Sequence, residues 1–556
     1  MIQSFPISRK SLLSGILITI ISLAALKVSY ELWQMIFLEV HGAINPDAFI
    51  YLTIGKGILH GSKVYVDLFE SKPPGVFYLS AISLFFGGTV LMRSLEVISL
   101  LLIPFSLTIL GWKYSRLLAL ISFCFGGLLS LWIQQNGGGL QTEIFSLLFA
   151  VLYVLNIQGR TWPRIILKGF LLMMVLAFRE PFLLGILAAS LLISRTWKDF
   201  LLTFILPLFI AILMGTIVLL AMGILSAFTQ IYLPAMFLSR IQGGVMDPLY
   251  IRMLWIHRLF SSLTIYSSMP LLGYALGSLW LLAVISKVKL TRIGTITVLI
   301  AAIFGLLLIH EYFVLFQLLQ KTGSLGISPF NTLFDRGFIT TTITYAIGTL
   351  LYIGLLFYIN NFRILMSLGC GLLAILCLSL AVGIGGYTWN YMLFIFPAVI
   401  VTYFFFLESS NKFFLIPFTL LLCIISFTYY PTNRFSMTQY AQIQTLSSEL
   451  DQIMDHCGYD RYAMIGSYSK FAFAKHMPIG PMFAPYFQEY LGLDDPLYLK
   501  TYDAIDKNAK ILLQQDPLPT DPYPLPESLR NQFVKKAPSC AKDLTVPSGF
   551  KVLYRA

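Results

Sequence analysis

Two carboxylates, a lysine and an arginine sit where proton transfer and phosphate binding could meet. Asp47 follows Pro46 near the start of a polar stretch from Asn45 to Leu79, and Lys72 stands late in it, before Pro73-Pro74. Glu143 closes the Gly-rich loop QQNGGGLQTE, and Arg179 opens the turn of FREPF (Phe178–Phe182). A carboxylate can take a proton from an attacking hydroxyl. Ammonium and guanidinium groups can hold a departing phosphate. Tyr65, Asp67 and Glu70 in the same polar stretch, with His310 and Tyr391 in later loops, are further candidate substrate contacts.

Each residue also has a plainer reading. Asp47 could cap a helix, and Lys72 could snorkel from an interfacial helix. Glu143 could be a favourable charge at a helix N-terminus. Arg179 and Glu180 could neutralise each other across their hairpin, and His310-Glu311 could be a solvated pair at the end of a span. The chain holds no H-E-x-x-H, Walker A or C-x-x-C motif, so neither a metal nor another cofactor is indicated.

The elements that must position these residues are membrane helices. The chain has 556 residues, 57% hydrophobic and 12% charged, too little polar surface to cover a soluble protein of this size. Apolar runs of near-spanning length recur from Ser11 to Tyr430, and no strand-period alternation argues for a barrel. The first run lacks a small-residue cleavage site and is expected to stay as a helix. The net charge of +12 is scattered among short loops, which fits a positive-inside bias rather than nucleic-acid binding.

Arg9 and Lys10 place the N-terminus in the cytoplasm, ahead of a first span at about 11–29. The first outer loop then covers 30–93. Within it, Asp47–His60 reads as a short amphipathic helix with Phe49, Ile50, Ile54 and Ile58 on one side, stopped by Gly61. Pro74–Gly87, at about 14 residues, is short for a span and is expected to lie flat in the interface. Spans at about 94–112, 117–133, 143–158 and 164–178 then put Lys113, Arg116, Arg160, Arg164 and Lys168 inside. The later clusters follow suit, for roughly 13 spans in all. Residues 1–430 form the membrane domain.

Pro431 marks a change of composition. Residues 431–556 are expected to fold as a small α/β domain outside the membrane, with a helix at Met437–His456 and strands at RYAMIGS, AKILLQQ and FKVLYRA. Cys457 and Cys540 either pair or stay free, according to whether this domain faces an oxidising compartment. The expected fold is thus an all-α polytopic membrane protein with an α/β appendage.

An acid early in the first outer loop, Y-x-D (Tyr65–Asp67) followed by Lys72-Pro73-Pro74 at its far end, and an acid closing the second outer loop form a pattern. It resembles the GT-C glycosyltransferases, in particular the branch of lipid A aminoarabinose transferases and protein O-mannosyltransferases. The resemblance covers residues 1–200 well and the rest in outline. It implies an inverting glycosyltransferase of the inner (plasma) membrane, taking its sugar from a polyprenyl phosphate. Asp47 would be the base, Glu143 would position the acceptor, and Lys72 and Arg179 would hold the lipid phosphate. The acceptor, whether lipid, glycan or protein, stays open. The chain departs from the pattern where Ala48 replaces a second acid, where S-K-P-P replaces E-K-P, and where Asn390-Tyr391 replaces His-Tyr. The rivals are a lipid or solute transporter or flippase, disfavoured by charges crowded on one face, and an O-antigen ligase or polymerase using Arg240, Arg252 and Arg258.

Overall fold

The computed structural model describes residues 9–236, 419–427 and 437–555, with short breaks at 41–45, 138, 141, 195, 421, 425, 466–467, 482–494 and 517–524. His310, Tyr391, the late arginines and all spans expected between 237 and 418 lie outside the described residues. The chain falls into two compact units. The first combines Met1–Leu183, Ile205–Pro248 and Leu422–Ala556, and the second Leu184–Phe204 and Leu249–Leu421.

The architecture is mostly helical with one small sheet. Helix α1 covers Arg9–Val40, α2 Pro46–Leu59, α3 Gly75–Phe85, α4 Val90–Trp112, α5 Arg116–Gly137, α6 Thr142–Leu155, α7 Trp162–Phe178 and α8 Phe182–Ile193. Helix α9, Trp197–Ala221, contains a π-turn over Leu201–Ile205. Among the described residues, Gly15–Phe37, Val90–Trp112 and Trp197–Ala221 are long and apolar enough to cross a membrane. They leave large apolar side chains exposed, among them Leu26 and Trp33 on α1, Phe105 and Trp112 on α4, and Phe209 and Leu220 on α9. Surface of that kind suits lipid contact.

Small residues let these helices close up. A Cβ on Gly126 would meet Pro104 Cα at 2.6 Å, and one on Gly111 would meet Leu118 O at 2.5 Å, so α4 and α5 pack nearly backbone to backbone. Gly127 of α5 leaves room for the Val28 side chain of α1.

Two expectations about the first loop change, and the short third helix holds. Helix α1 continues to Val40 rather than ending near Ser29, because apolar residues persist through Trp33, Met35 and Phe37 and the Lys27–Glu31 pair bridges one turn. Helix α2 is not amphipathic: Ala48 through Gly55 are buried on every side. Its partners are α3, where a Cβ on Gly55 would strike Ala81 N at 2.7 Å, and the C-terminal domain, whose Phe473 ring stands edge-on to Phe49 at 5.7 Å. Helix α3 has only 11 residues, a length of about 16 Å against a hydrocarbon core of about 30 Å. Gly87 and Gly88, at φ 104° and 110°, end the segment.

The C-terminal domain is α/β, as its strand patterns imply. Helix α10 spans Met437–Cys457 and α11 Pro496–Asn508. Strands β1 (Arg461–Ile465), β2 (Met477–Pro478), β3 (Ile511–Gln515), β4 (Phe533–Val534) and β5 (Phe550–Arg555) form one sheet in the order β2-β1-β3-β5-β4. β1 and β3 are parallel with Ala463 opposite Leu512; β3 and β5 are antiparallel with Leu513 opposite Val552. Cys457 and Cys540 form a disulfide that ties the end of α10 to the turn Ser539–Ala541.

This domain clasps the first polar loop. Lys56 Nζ donates to the carbonyls of Ala474 and His476, Phe69 N–H donates to Pro481 O at 2.9 Å, and Lys500 Nζ donates to Val66 O at 2.7 Å. The loop and the domain are therefore packed against each other.

Candidate functional site

Asp47 enters the site through the start of α2. The helix begins at Pro46, so Asp47 lies inside its first turn and not at the capping position before it. A proline there has no N–H to leave unpaired, and the acid meets the positive end of the helix dipole. Asp47 is surrounded by protein yet exposed to a water-sized probe, while the eight residues after it are buried.

Lys72 comes to the same place along a strained turn. Tyr65 adopts φ 67°, in the left-handed region that costs a non-glycine residue about 1–3 kcal/mol. Packing holds it there: the buried ring lies 4.7 Å from Tyr232 and 6.1–6.3 Å from Phe69, Phe77 and Phe228. Its hydroxyl donates to Lys72 O at 2.8 Å, which pins the lysine's backbone. Pro74 then starts α3, and a Cβ on Gly75 would meet Ala177 O at 2.5 Å, so the end of α7 lies against it.

Arg179 ends α7 in an extended conformation, and Glu143 occupies the first turn of α6. Both are buried, and Arg179 Nε lies 3.2 Å from Glu143 Oε1. Ser146, one turn beyond Glu143, donates to Val175 O and Arg179 O at 3.1 and 3.2 Å and locks the two helix ends together. Glu180 does not neutralise its neighbour; it accepts from the Tyr232 hydroxyl at 3.0 Å.

The four charges share one electrostatic environment. Asp47 senses Lys72, Glu143 and Arg179, and Lys72 senses Arg179, Glu143, Asp47 and Glu70. Burial is the largest influence on the Asp47 carboxyl and pushes it above its ordinary value; Lys72 and Arg179 oppose this and Glu143 adds to it. Burial also pulls the Lys72 ammonium below its ordinary value, helped by Arg179 and opposed by the carboxylates. A carboxylate with a raised pKa beside two cations is a stronger base than an exposed one.

Of the other candidates, Glu70 lies beside the cluster, buried, accepting from Ser71 N–H and Oγ at 2.8 and 2.9 Å. Tyr65 acts as a structural wedge. Asp67 is engaged elsewhere: it accepts from Lys63 N–H at 2.9 Å to close the turn and faces Lys500 at 4.0 Å.

Two residues beyond the sequence-based set belong here. Tyr51 stands one helical turn after Asp47 on the same face. It is 1% exposed, its hydroxyl has no hydrogen-bond partner among the described residues, and it senses Asp47, Glu143, Glu70 and Arg179. The i, i+4 spacing from Asp47 was the available signal. Glu96 is buried in α4, and its Oε1 accepts from Leu140 N–H at 2.7 Å, where Leu140 has φ 66°. That bond anchors the loop that delivers Glu143. An acid within an apolar span was its signal.

Comparison of the chain with protein-family models, curated proteins and solved structures finds no match.

Proposed function

We propose that this chain is an integral-membrane glycosyltransferase that moves a sugar from a polyprenyl phosphate to an acceptor hydroxyl or amine, with inversion. Asp47 takes the acceptor proton as the acceptor attacks the anomeric carbon. The bond from that carbon to the phosphate oxygen breaks, and the polyprenyl phosphate leaves with the bonding pair. Lys72 and Arg179 stabilise the departing phosphate, and Glu143 orients Arg179 and the acceptor. Electrostatic help to the developing phosphate charge supplies a large share of the rate. The observation that carries this reading is the convergence of an acid and a lysine from the first loop with an acid and an arginine from two later helices, close enough for each charge to act on the others.

The same reading places the N-terminus in the cytoplasm and the clasped loop and C-terminal domain outside the plasma membrane, with roughly 13 spans following the positive-inside bias. The disulfide agrees with an oxidising compartment. The test is release of polyprenyl phosphate from a panel of polyprenyl-phosphate sugars by protein in nanodiscs, with cell-envelope extract as acceptor source. The intact protein should consume at least one donor, and Lys72→Ala should not. Normal consumption by Lys72→Ala overturns the assignment.

A further inference from the structure

The C-terminal domain grips α2 with the segment from Phe473 to His476, and does so at two points. Phe473 stands edge-on to Phe49 at 5.7 Å, and the carbonyls of Ala474 and His476 accept from Lys56 Nζ. Phe49 and Lys56 lie on one face of the helix, two turns and about 10 Å apart. A helix held at two such points is kept from rocking and from turning about its axis. Asp47 stands just before the first of them, in the opening turn of α2.

One side chain fixes the gripping segment. Asp451 of α10 accepts from Lys475 N–H at 2.7 Å and from His476 N–H at 3.3 Å, and its Oδ1 lies 2.9 Å from His476 Nδ1. The peptide group between Ala474 and Lys475 is thus bound at both ends: its N–H donates to Asp451 and its carbonyl accepts from Lys56. A trans peptide points these two groups in opposite directions, so fixing the N–H aims the carbonyl. The Asp451 charge also acts on the Lys56 ammonium. Helix α10 is itself anchored, by the Cys457–Cys540 disulfide at its end, and Asp455, one turn after Asp451, accepts from Lys475 Nζ at 2.9 Å.

We propose that Asp451 is a positioning residue for Asp47, acting through the Ala474–Lys475 peptide and Lys56 to hold α2 in register. The inference rests on the transfer reading for what Asp47 does and on the clasp for where it stands. The leverage is large. A tilt of about 5° at Gly55, where α2 meets the backbone of α3, would move Asp47, about 12 Å away, by about 1 Å. A displacement of that size can cost a catalysed step about 100-fold.

Kinetics and amide hydrogen exchange on the full chain in nanodiscs test it. Asp451→Ala should lower kcat about 10- to 100-fold and leave KM for the donor unchanged, because Lys72 and Arg179, not α2, hold the phosphate. Lys56→Met should lose a similar amount, and the double variant no more than the worse single one, since both act through one connection. Exchange should quicken over α2 in Asp451→Ala and stay native over β3. Asp451→Asn, which keeps the shape and one acceptor oxygen, should recover part of the rate, and it repeats each comparison if Asp451→Ala does not fold. Native kcat in Asp451→Ala, native exchange over α2, or losses that multiply in the double variant overturn the proposal. So does faster exchange spread equally over β3, which would mean general loosening. A native chain that consumes no donor defeats the transfer reading instead, and exchange over α2 then decides alone whether Asp451 holds the helix.

Discussion

Arg179 Nε and Glu143 Oε1, 3.2 Å apart and both buried, join the C-terminal end of one helix to the first turn of another. Each charge already suits its helix dipole, and each is the other's means of tolerating burial. Removing one partner strands the other, which costs about 3–5 kcal/mol. Glu143→Gln should therefore lower the unfolding temperature of the detergent-purified protein and abolish activity together. Glu143→Asp, which keeps the charge, should recover most of the stability. Equal unfolding temperatures for the native chain and Glu143→Gln would show that the pair does not hold the helices.

Asp47 tests the base assignment. Its carboxyl is pushed upward, chiefly by burial. A base must be deprotonated to work, so the acid limb of the pH–rate profile should fall above the usual carboxylate range, with activity lost as pH drops through it. Asp47→Asn should express and unfold normally yet lose about 100-fold or more in rate. Unchanged transport or ligation in that variant would favour the flippase or ligase readings.

Which parts of this were legible beforehand follows from the range of the forces. Helices α4 to α7 and strands β1, β3 and β5 were readable within a few residues, because hydropathy and strand alternation are local properties of the chain. Asp47, Lys72, Glu143 and Arg179 were named together through the resemblance to a known pattern, and the structure sets them within electrostatic reach of one another. Contacts between distant segments were not. Nothing local says that Phe473 covers Phe49 and turns an apparently amphipathic α2 into a helix buried on all sides. Likewise, Glu180 turns to Tyr232 and leaves its neighbour Arg179 to Glu143, which only the meeting of three helices decides. Asp67 looked like a site acid because a turn-closing aspartate and a catalytic one have the same letter.

Tyr51 separates a structural role from a functional one. Its hydroxyl is buried without a partner among the described residues, and deleting such a group removes a desolvation cost. Tyr51→Phe should thus unfold at the native temperature or slightly above it. If the hydroxyl donates to bound donor or acceptor, the same variant should lose roughly 10-fold in kcat/KM. Full activity with unchanged stability would remove Tyr51 from the site.

Lys56 reports on the clasp between α2 and the C-terminal domain. Burial lowers its pKa from 10.5 to about 8, opposed by Asp451, while its ammonium donates to the carbonyls of Ala474 and His476. Below pH 8 the lysine is charged whether folded or unfolded, and the full cost of burying that charge is present. Between about 8 and 10.5 the folded form sheds the proton and the unfolded form keeps it, so stability rises with pH across that window. The gain is at most about 3 kcal/mol, and less because the side chain is partly exposed. Lys56→Met lacks this dependence. Denaturation of both proteins at pH 8 and pH 10.5 should show the native chain gaining on the variant at the higher pH, and a constant difference would mean that the lysine is not buried in the clasp.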